Sequence, residues 1–328
     1  MDALFVGQTA DASCYHRVML PAQALGCDWC GLDAPPPLSV VGRGSVRGQD
    51  GLPAFDSYDV LVVQTPAQDG WLDVIARAQA SGTRVFYDID YDLHAFGQAP
   101  EALALVESLI ELCDGVICAT EQIAERYGAF NANTHVCESG IDLAAYTLTR
   151  PPHDTVNIGW SGRTLQYDEM RVWLAQVAGV LRARSVANFV SIGEPYGEVL
   201  SESGAVAPER CLSIPLVLPD QLPAAMSVFD IVFDPLGKAA WRRARSPLRW
   251  LEAAAWGMPF VGDPRLHSSL EPGVTGFHAR TPDELGQVLL RLVDDPAMRA
   301  EVGARARRAV EERHSMAMLA PRWREALA

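Results

Sequence analysis

Two short runs in this 328-residue chain carry side chains whose types and spacing could do chemistry. The first is Arg245-Ser246-Pro247-Leu248-Arg249-Trp250-Leu251-Glu252. Ser246 is a favoured N-cap residue and Pro247 suits the first helical position, so a helix is predicted from there to Gly257. Its free N–H groups and positive dipole end would attract an anion. Arg245 just before it and Arg249 one turn inside would add charge, enough to hold a diphosphate without a metal. Glu252, one turn further, could accept hydrogen bonds from sugar hydroxyls. A solvated amphipathic helix with surface arginines is the plain alternative. The second run is Asp88-Ile89-Asp90-Tyr91-Asp92, after the apolar Val85-Phe86-Tyr87. Carboxylates at spacing two, at the carboxyl end of a strand, leave three readings open: acceptor positioning or catalytic polarisation, loop capping, and metal binding.

The elements that must position these runs alternate strand and helix, twice over. Leu4–Val6 reads as a short strand ending in Gly7, and Tyr15–Leu25 as a helix. Asp59–Val63 is a continuous apolar strand, the pattern of a parallel sheet covered on both faces. Helices over Trp71–Ala80, Glu101–Leu112 and Thr120–Tyr127 alternate with strands at Arg84–Tyr87, Gly115–Cys118 and His135–Cys137. A proline-containing linker follows near Thr147–Asp154. The alternation restarts at Val156–Trp160 and continues through strands at Asn188–Ile192, Leu212–Leu216, Ile231–Phe233 and Pro259–Val261. Three helices near 282–293, 296–312 and 316–327 close the chain. This implies an α/β fold of two doubly wound domains facing across a cleft, with ligands at the carboxyl ends of the strands. Residues 1–150 form the first domain and 151–315 the second, with the helix 316–328 returning to the first.

Composition narrows the classes. Residues are 49% hydrophobic and 21% charged, which suits large cores and excludes disorder as the main state. Residues 1–155 hold 7 Arg and no Lys against 21 acids, so this part carries the whole net charge of −14. That argues against general nucleic-acid binding and leaves nucleic acid as an acceptor at most. No apolar run approaches the ~20 residues of a membrane span, and a cytoplasmic protein is expected. Seven cysteines are odd in number and spread out; Cys27 and Cys30 lack a second pair at zinc spacing, so buried thiols are expected.

Beyond these patterns, the run Ser246–Val261, followed by Gly273-Val274-Thr275-Gly276-Phe277, resembles the donor-site signature of retaining glycosyltransferases of family 4, in a short-chain subgroup. Glu138-Ser139-Gly140-Ile141-Asp142, Ile158-Gly159-Trp160-Ser161-Gly162-Arg163 and Tyr15–Pro21 extend the likeness. The resemblance implies the GT-B fold, two Rossmann-like domains. It implies transfer of a sugar, with retention and without a metal or other cofactor, from a nucleotide-diphospho-sugar, UDP- or GDP-linked, to an unknown acceptor hydroxyl. Arg163, Arg245, Ser246 and Gly7 would face the donor diphosphate. Glu252, with Gly193 and Glu194, would face the ribose and nucleoside, Glu252 matching the second glutamate of the family's Glu-seven-residues-Glu motif. The first glutamate falls on Ala244, a departure from the pattern. Asp88 and Asp90 are the candidate catalytic pair. The alternatives are a phage-type transferase acting on hydroxymethylated DNA bases, a nucleotide-sugar epimerase of the same fold, and a nucleotide-sugar-binding protein without turnover.

Overall fold

The structure is a computed structural model that describes all residues except 9–10, 32–54, 148, 151–152, 164–166 and 236–243; for residues 56 and 167–169 it describes the backbone alone. Thr9, Lys238, Trp241, Arg242 and Arg243 therefore lie outside the described residues. The chain divides into two compact units: Met1–Gly140 with Ala240–Ser246 and His314–Ala328, and Ile141–Ala239 with Pro247–Arg313.

The first unit is a parallel sheet of β1 (Ala3–Gly7), β2 (Asp28–Gly31), β3 (Val60–Gln64), β4 (Arg84–Ile89), β5 (Gly115–Cys118) and β6 (Thr134–Val136), ordered β2-β1-β3-β4-β5-β6. Alternate residues serve opposite faces, as the pleat requires. Leu4, Val6, Leu61, Val63, Val85 and Tyr87 pack beneath helices Gly70–Ala80, Pro100–Leu112 and Glu121–Tyr127. Phe5, Val60, Val62, Phe86 and Ile117 share the other core with Leu319, Trp323 and Leu327 from the end of the chain. Covering both faces explains why these strands read as unbroken apolar runs.

The first helical segment departs from expectation. It begins at Ala12, capped by Asp11, and its turn Tyr15–Met19 is π-helical before Leu20–Leu25 resumes the α-helix. Pro21 supplies the reason: it has no N–H for the carbonyl of Arg17, and its ring would crowd that carbonyl. Widening the turn by one residue relieves both problems.

The second unit is a parallel sheet of β7 (Val156–Gly162), β8 (Ala187–Gly193), β9 (Cys211–Ile214), β10 (Ile231–Asp234), β11 (Phe260–Gly262) and β12 (Phe277–His278), ordered β12-β11-β10-β7-β8-β9. Helices Tyr167–Ala183 and Pro282–Asp294 cover one face, over Ile158, Trp160, Phe189 and Phe233. Helix Leu248–Ala255 covers the other, over Ile192, Val232 and Phe260, with Ala306 and Val310 of helix Pro296–Arg313 behind it. The boundary falls between Gly140 and Ile141, ahead of the linker, because Ile141 and Tyr146 are buried in this last core. Among the described residues, no helix is long and apolar enough to cross a membrane.

Candidate functional site

Each sheet has a place where chain order reverses. In the second unit β7 and β10 are neighbours, so the six strands, counted from β7, run 3-2-1-4-5-6. Open α/β sheets bind ligands at the carboxyl ends of the strands flanking such a reversal. Two glycines end strands there. Gly162 closes β7 with φ 139° and Gly193 closes β8 with φ 98°, both in the region that side chains disfavour. A Cβ on Gly193 would stand 2.3 Å from the Gly162 carbonyl oxygen, and one on Gly162 would stand 2.1 Å from Nη2 of Arg249.

Arg249 is a positive group at this reversal. Its Nη1 donates to Asp234 Oδ1 at the end of β10, and its guanidinium lies 5.1 Å from the centroid of the buried Trp160 ring on β7. The Trp160 face leaves the charge in place while removing water from one side. Asp234 is 3% exposed, and its other oxygen lies 3.4 Å from Nε2 of the fully buried His267. Arg265 Nε and Nη2 hold Asp263 at 2.9 and 2.7 Å; these hydrogen bonds outweigh burial and keep that carboxyl below its usual range. The result is a guanidinium aligned by a buried carboxylate, suited to an incoming phosphate.

Two expectations arise from this geometry. Gly162→Ala places a methyl group within 2.1 Å of the Arg249 guanidinium at a strained φ. It should displace Arg249 and weaken nucleotide binding more than it lowers melting temperature; unchanged nucleotide affinity would count against Arg249. Burial holds the His267 imidazole below its ordinary value of 6.5, against the pull of Asp234. A depressed folded-state value means full stability above pH 6.5, lost progressively as pH falls below it. His267→Phe should flatten the decline in melting temperature between pH 7 and pH 5.

In the first unit the reversal lies between β1 and β3. Arg17, carried by the π turn, is wholly buried, and donates through Nε (3.2 Å) and Nη2 (2.5 Å) to the two oxygens of Asp88. A third bond runs from Nη1 to the carbonyl of Cys137, and the guanidinium lies 4.7 Å from the Trp323 centroid. Burial pushes the Asp88 carboxyl up to about 6, against the pull of Arg17. Beyond β4, Asp90 Oδ2 accepts from Ser13 Oγ at 2.5 Å, and Ser13 Oγ accepts from Gln64 Nε2 at 2.6 Å.

Comparison with known proteins adds a match to a family model and a fold. Residues 169–325 match the model of a family described as "Glycosyl transferase-like". No curated protein sequence matches the chain. Among solved structures, Anabaena HepE in complex with UDP and glucose is similar at 15% identity, covering 100% of this chain and 99% of that one, with a TM-score of 0.75. A Rickettsia africae glycosyltransferase is similar at 10% identity, 99% and 97% coverage and a TM-score of 0.70. A candidate UDP-N-acetylglucosamine 2-epimerase from Listeria monocytogenes is similar at 14% identity, 99% and 95% coverage and a TM-score of 0.62. The fold is GT-B: α/β, with two Rossmann-like units.

The residues singled out in the sequence fall unevenly on this frame. Arg163 is exposed just beyond β7, Gly193 ends β8, and the Glu194 amide donates to the Gly162 carbonyl at 3.2 Å. Glu252 is buried on Leu248–Ala255. Arg245 and Ser246 belong to the first unit and not to the helix Leu248–Ala255 of the second. Ser246 does not cap that helix, which starts at Leu248 with Pro247 as its N-cap; Ser246 Oγ instead donates to Ser139 Oγ at 3.1 Å. Asp88 is fully buried and paired with Arg17 near the end of β4, in contrast to an open catalytic carboxylate. Gly7 is required by Cys14, whose Sγ would lie 2.3 Å from a Cβ there. Ala244, at the first motif position, is packed in the first core, with its carbonyl accepting from Thr120 Oγ1. His267, Ser13 and Gln64 were not singled out as site residues, since each meets its partner across 33 or more positions of sequence.

Proposed function

We propose that the protein is a glycosyltransferase that moves a sugar from a nucleotide-diphospho-sugar to an acceptor hydroxyl. The observation that carries this reading is Arg249, braced by Asp234 at the β7/β10 reversal, within the span that matches the transferase family. UDP is the favoured nucleotide because HepE holds it, with GDP next. Arg249 and Arg163 would face the diphosphate. Negative charge grows on the diphosphate as the glycosidic bond breaks, and fixed guanidinium groups favour that state. Glu252, Gly193 and Glu194 would receive the ribose and nucleoside. Asp90 would position the acceptor hydroxyl in a first unit that serves the acceptor. Retention of configuration and independence from metal belong to the same reading, since arginines take the cation's place. All seven cysteines are free, which fits a reducing, cytoplasmic setting.

A UDP-release assay with UDP-glucose, with and without sugar acceptors, tests the reading. Release that rises with an acceptor supports transfer; an epimerised donor with no glycoside formed supports the epimerase, whose fold is shared by the Listeria protein. Binding without turnover would match the loss of the first motif glutamate at Ala244. EDTA should leave activity intact, and restoration by manganese would reverse the metal-free assignment.

A charge-assisted contact to phosphate is worth roughly 1.5–3 kcal/mol, so Arg163→Ala should weaken UDP and UDP-glucose equally, by about 10- to 150-fold. Glu252→Ala should weaken UDP but not inorganic pyrophosphate. Calorimetry on folded variants checks both.

A further inference from the structure

The donor reading leaves a second polar cluster unused, at the carboxyl ends of three adjacent strands of the first unit. Gln8 directly follows β1, Gln64 ends β3 and Asp90 directly follows β4. Among the described residues, Gln8 Nε2, Gln64 Oε1 and Asp90 Oδ1 are all buried without a hydrogen-bond partner. Gln64 is 5% exposed and Asp90 6%. These atoms are not loose ends of mobile side chains. The opposite atoms of Gln64 and Asp90 are tied together through Ser13, at 2.6 and 2.5 Å. Gln64 Oε1 lies 3.4 Å from the point where a Cβ on Gly7 would stand, which places it at the end of β1 beside Cys14. A buried polar atom without a partner costs free energy, and three on neighbouring strand ends mark a site that a ligand completes.

The chemistry of the three atoms selects the ligand. One is an N–H donor and two are acceptors, one of them charged. A hydroxyl both donates and accepts, so two adjacent hydroxyls could satisfy all three. A phosphate is negatively charged at neutral pH and would meet the Asp90 carboxylate, whose neighbour Asp88 has already taken up Arg17. We infer that Gln8, Gln64 and Asp90 bind the adjacent hydroxyls of a neutral sugar, with Ser13 as the residue that positions Gln64 and Asp90. That this sugar is the acceptor rests on the transferase reading.

Saturation-transfer NMR on the full chain, with glucose, galactose and N-acetylglucosamine at millimolar concentration and no nucleotide, tests the site. At least one sugar should bind, and Gln64→Met and Gln8→Met should each weaken it roughly three- to tenfold, the worth of one hydrogen bond. Ser13→Ala should weaken it less, by loosening two partners at once. A thermal shift by UDP, measured on the same variants, reports that they are folded. Binding of none of the three sugars, equal binding by both glutamine variants, or displacement of the sugar by inorganic phosphate would overturn the site. Absence of a UDP shift in the wild type would instead remove the donor reading and leave the sugar result standing.

Discussion

Replacing Arg17 by methionine should cost the first unit about 3–5 kcal/mol, the usual loss when one partner of a buried ion pair is removed. Asp88 would remain wholly buried with its compensating charge gone. The carboxyl can escape only by taking up a proton, which raises its pKa further above the unfolded value of 3.8. A raised acid pKa means that the folded state binds more protons, so the variant should recover stability as pH falls from 8 to 5. Arg17→Met combined with Asp88→Leu should be far closer to wild type than the sum of the single changes. Equilibrium denaturation over that pH range checks all three statements. A small loss that does not depend on pH would show that Asp88 has other compensation.

The second large effect is on the proposed donor site. Arg249→Ala removes a guanidinium from the β7/β10 reversal and exposes phosphate to Asp234 without its partner. The lost contact, worth roughly 1.5–3 kcal/mol, predicts about 10- to 150-fold weaker UDP binding, and the uncovered carboxylate pushes toward the upper end. Arg249→Lys should restore part of this, because a lysine carries charge but not the fork that joins carboxylate and phosphate. Calorimetry with UDP and with uridine separates the cases. Uridine, which has no phosphate, should lose little. Equal losses for uridine and UDP would place Arg249 in the scaffold.

Much of the frame was legible because burial on both faces writes itself as apolar runs: Val60–Val63 and Val116–Cys118 are strands on that ground alone. β2 was missed because Asp28-Trp29-Cys30-Gly31 is a short edge strand with no such run. The site was harder. Its pairs join residues remote in sequence: Arg17 meets Asp88 across 71 positions and Ser13 meets Asp90 across 77. Spacing along one segment carries no trace of such a meeting, so Asp88 and Asp90 looked alike in sequence and differ in their surroundings. The Ser246-Pro247 cap signal misled for a related reason. Local propensity favoured a serine cap, but Ser246 found a partner in Ser139, 107 residues away.

The π turn at Tyr15–Met19 bears on how this segment can change. Such a turn holds one residue more than an α-helix needs over the same length. Taking out a single residue there, together with exchanging Pro21, would restore an ordinary helix and lengthen the stretch of regular hydrogen bonds. It would also rotate everything before the deletion by about 100° relative to the helix beyond it, one residue's share of a turn of 3.6. His16, Arg17 and Val18, three consecutive buried residues, could no longer all face inward. Deletions that look like repairs in the sequence would therefore break the grip on β4, and the surplus residue is tolerated in the helix because the sheet depends on it.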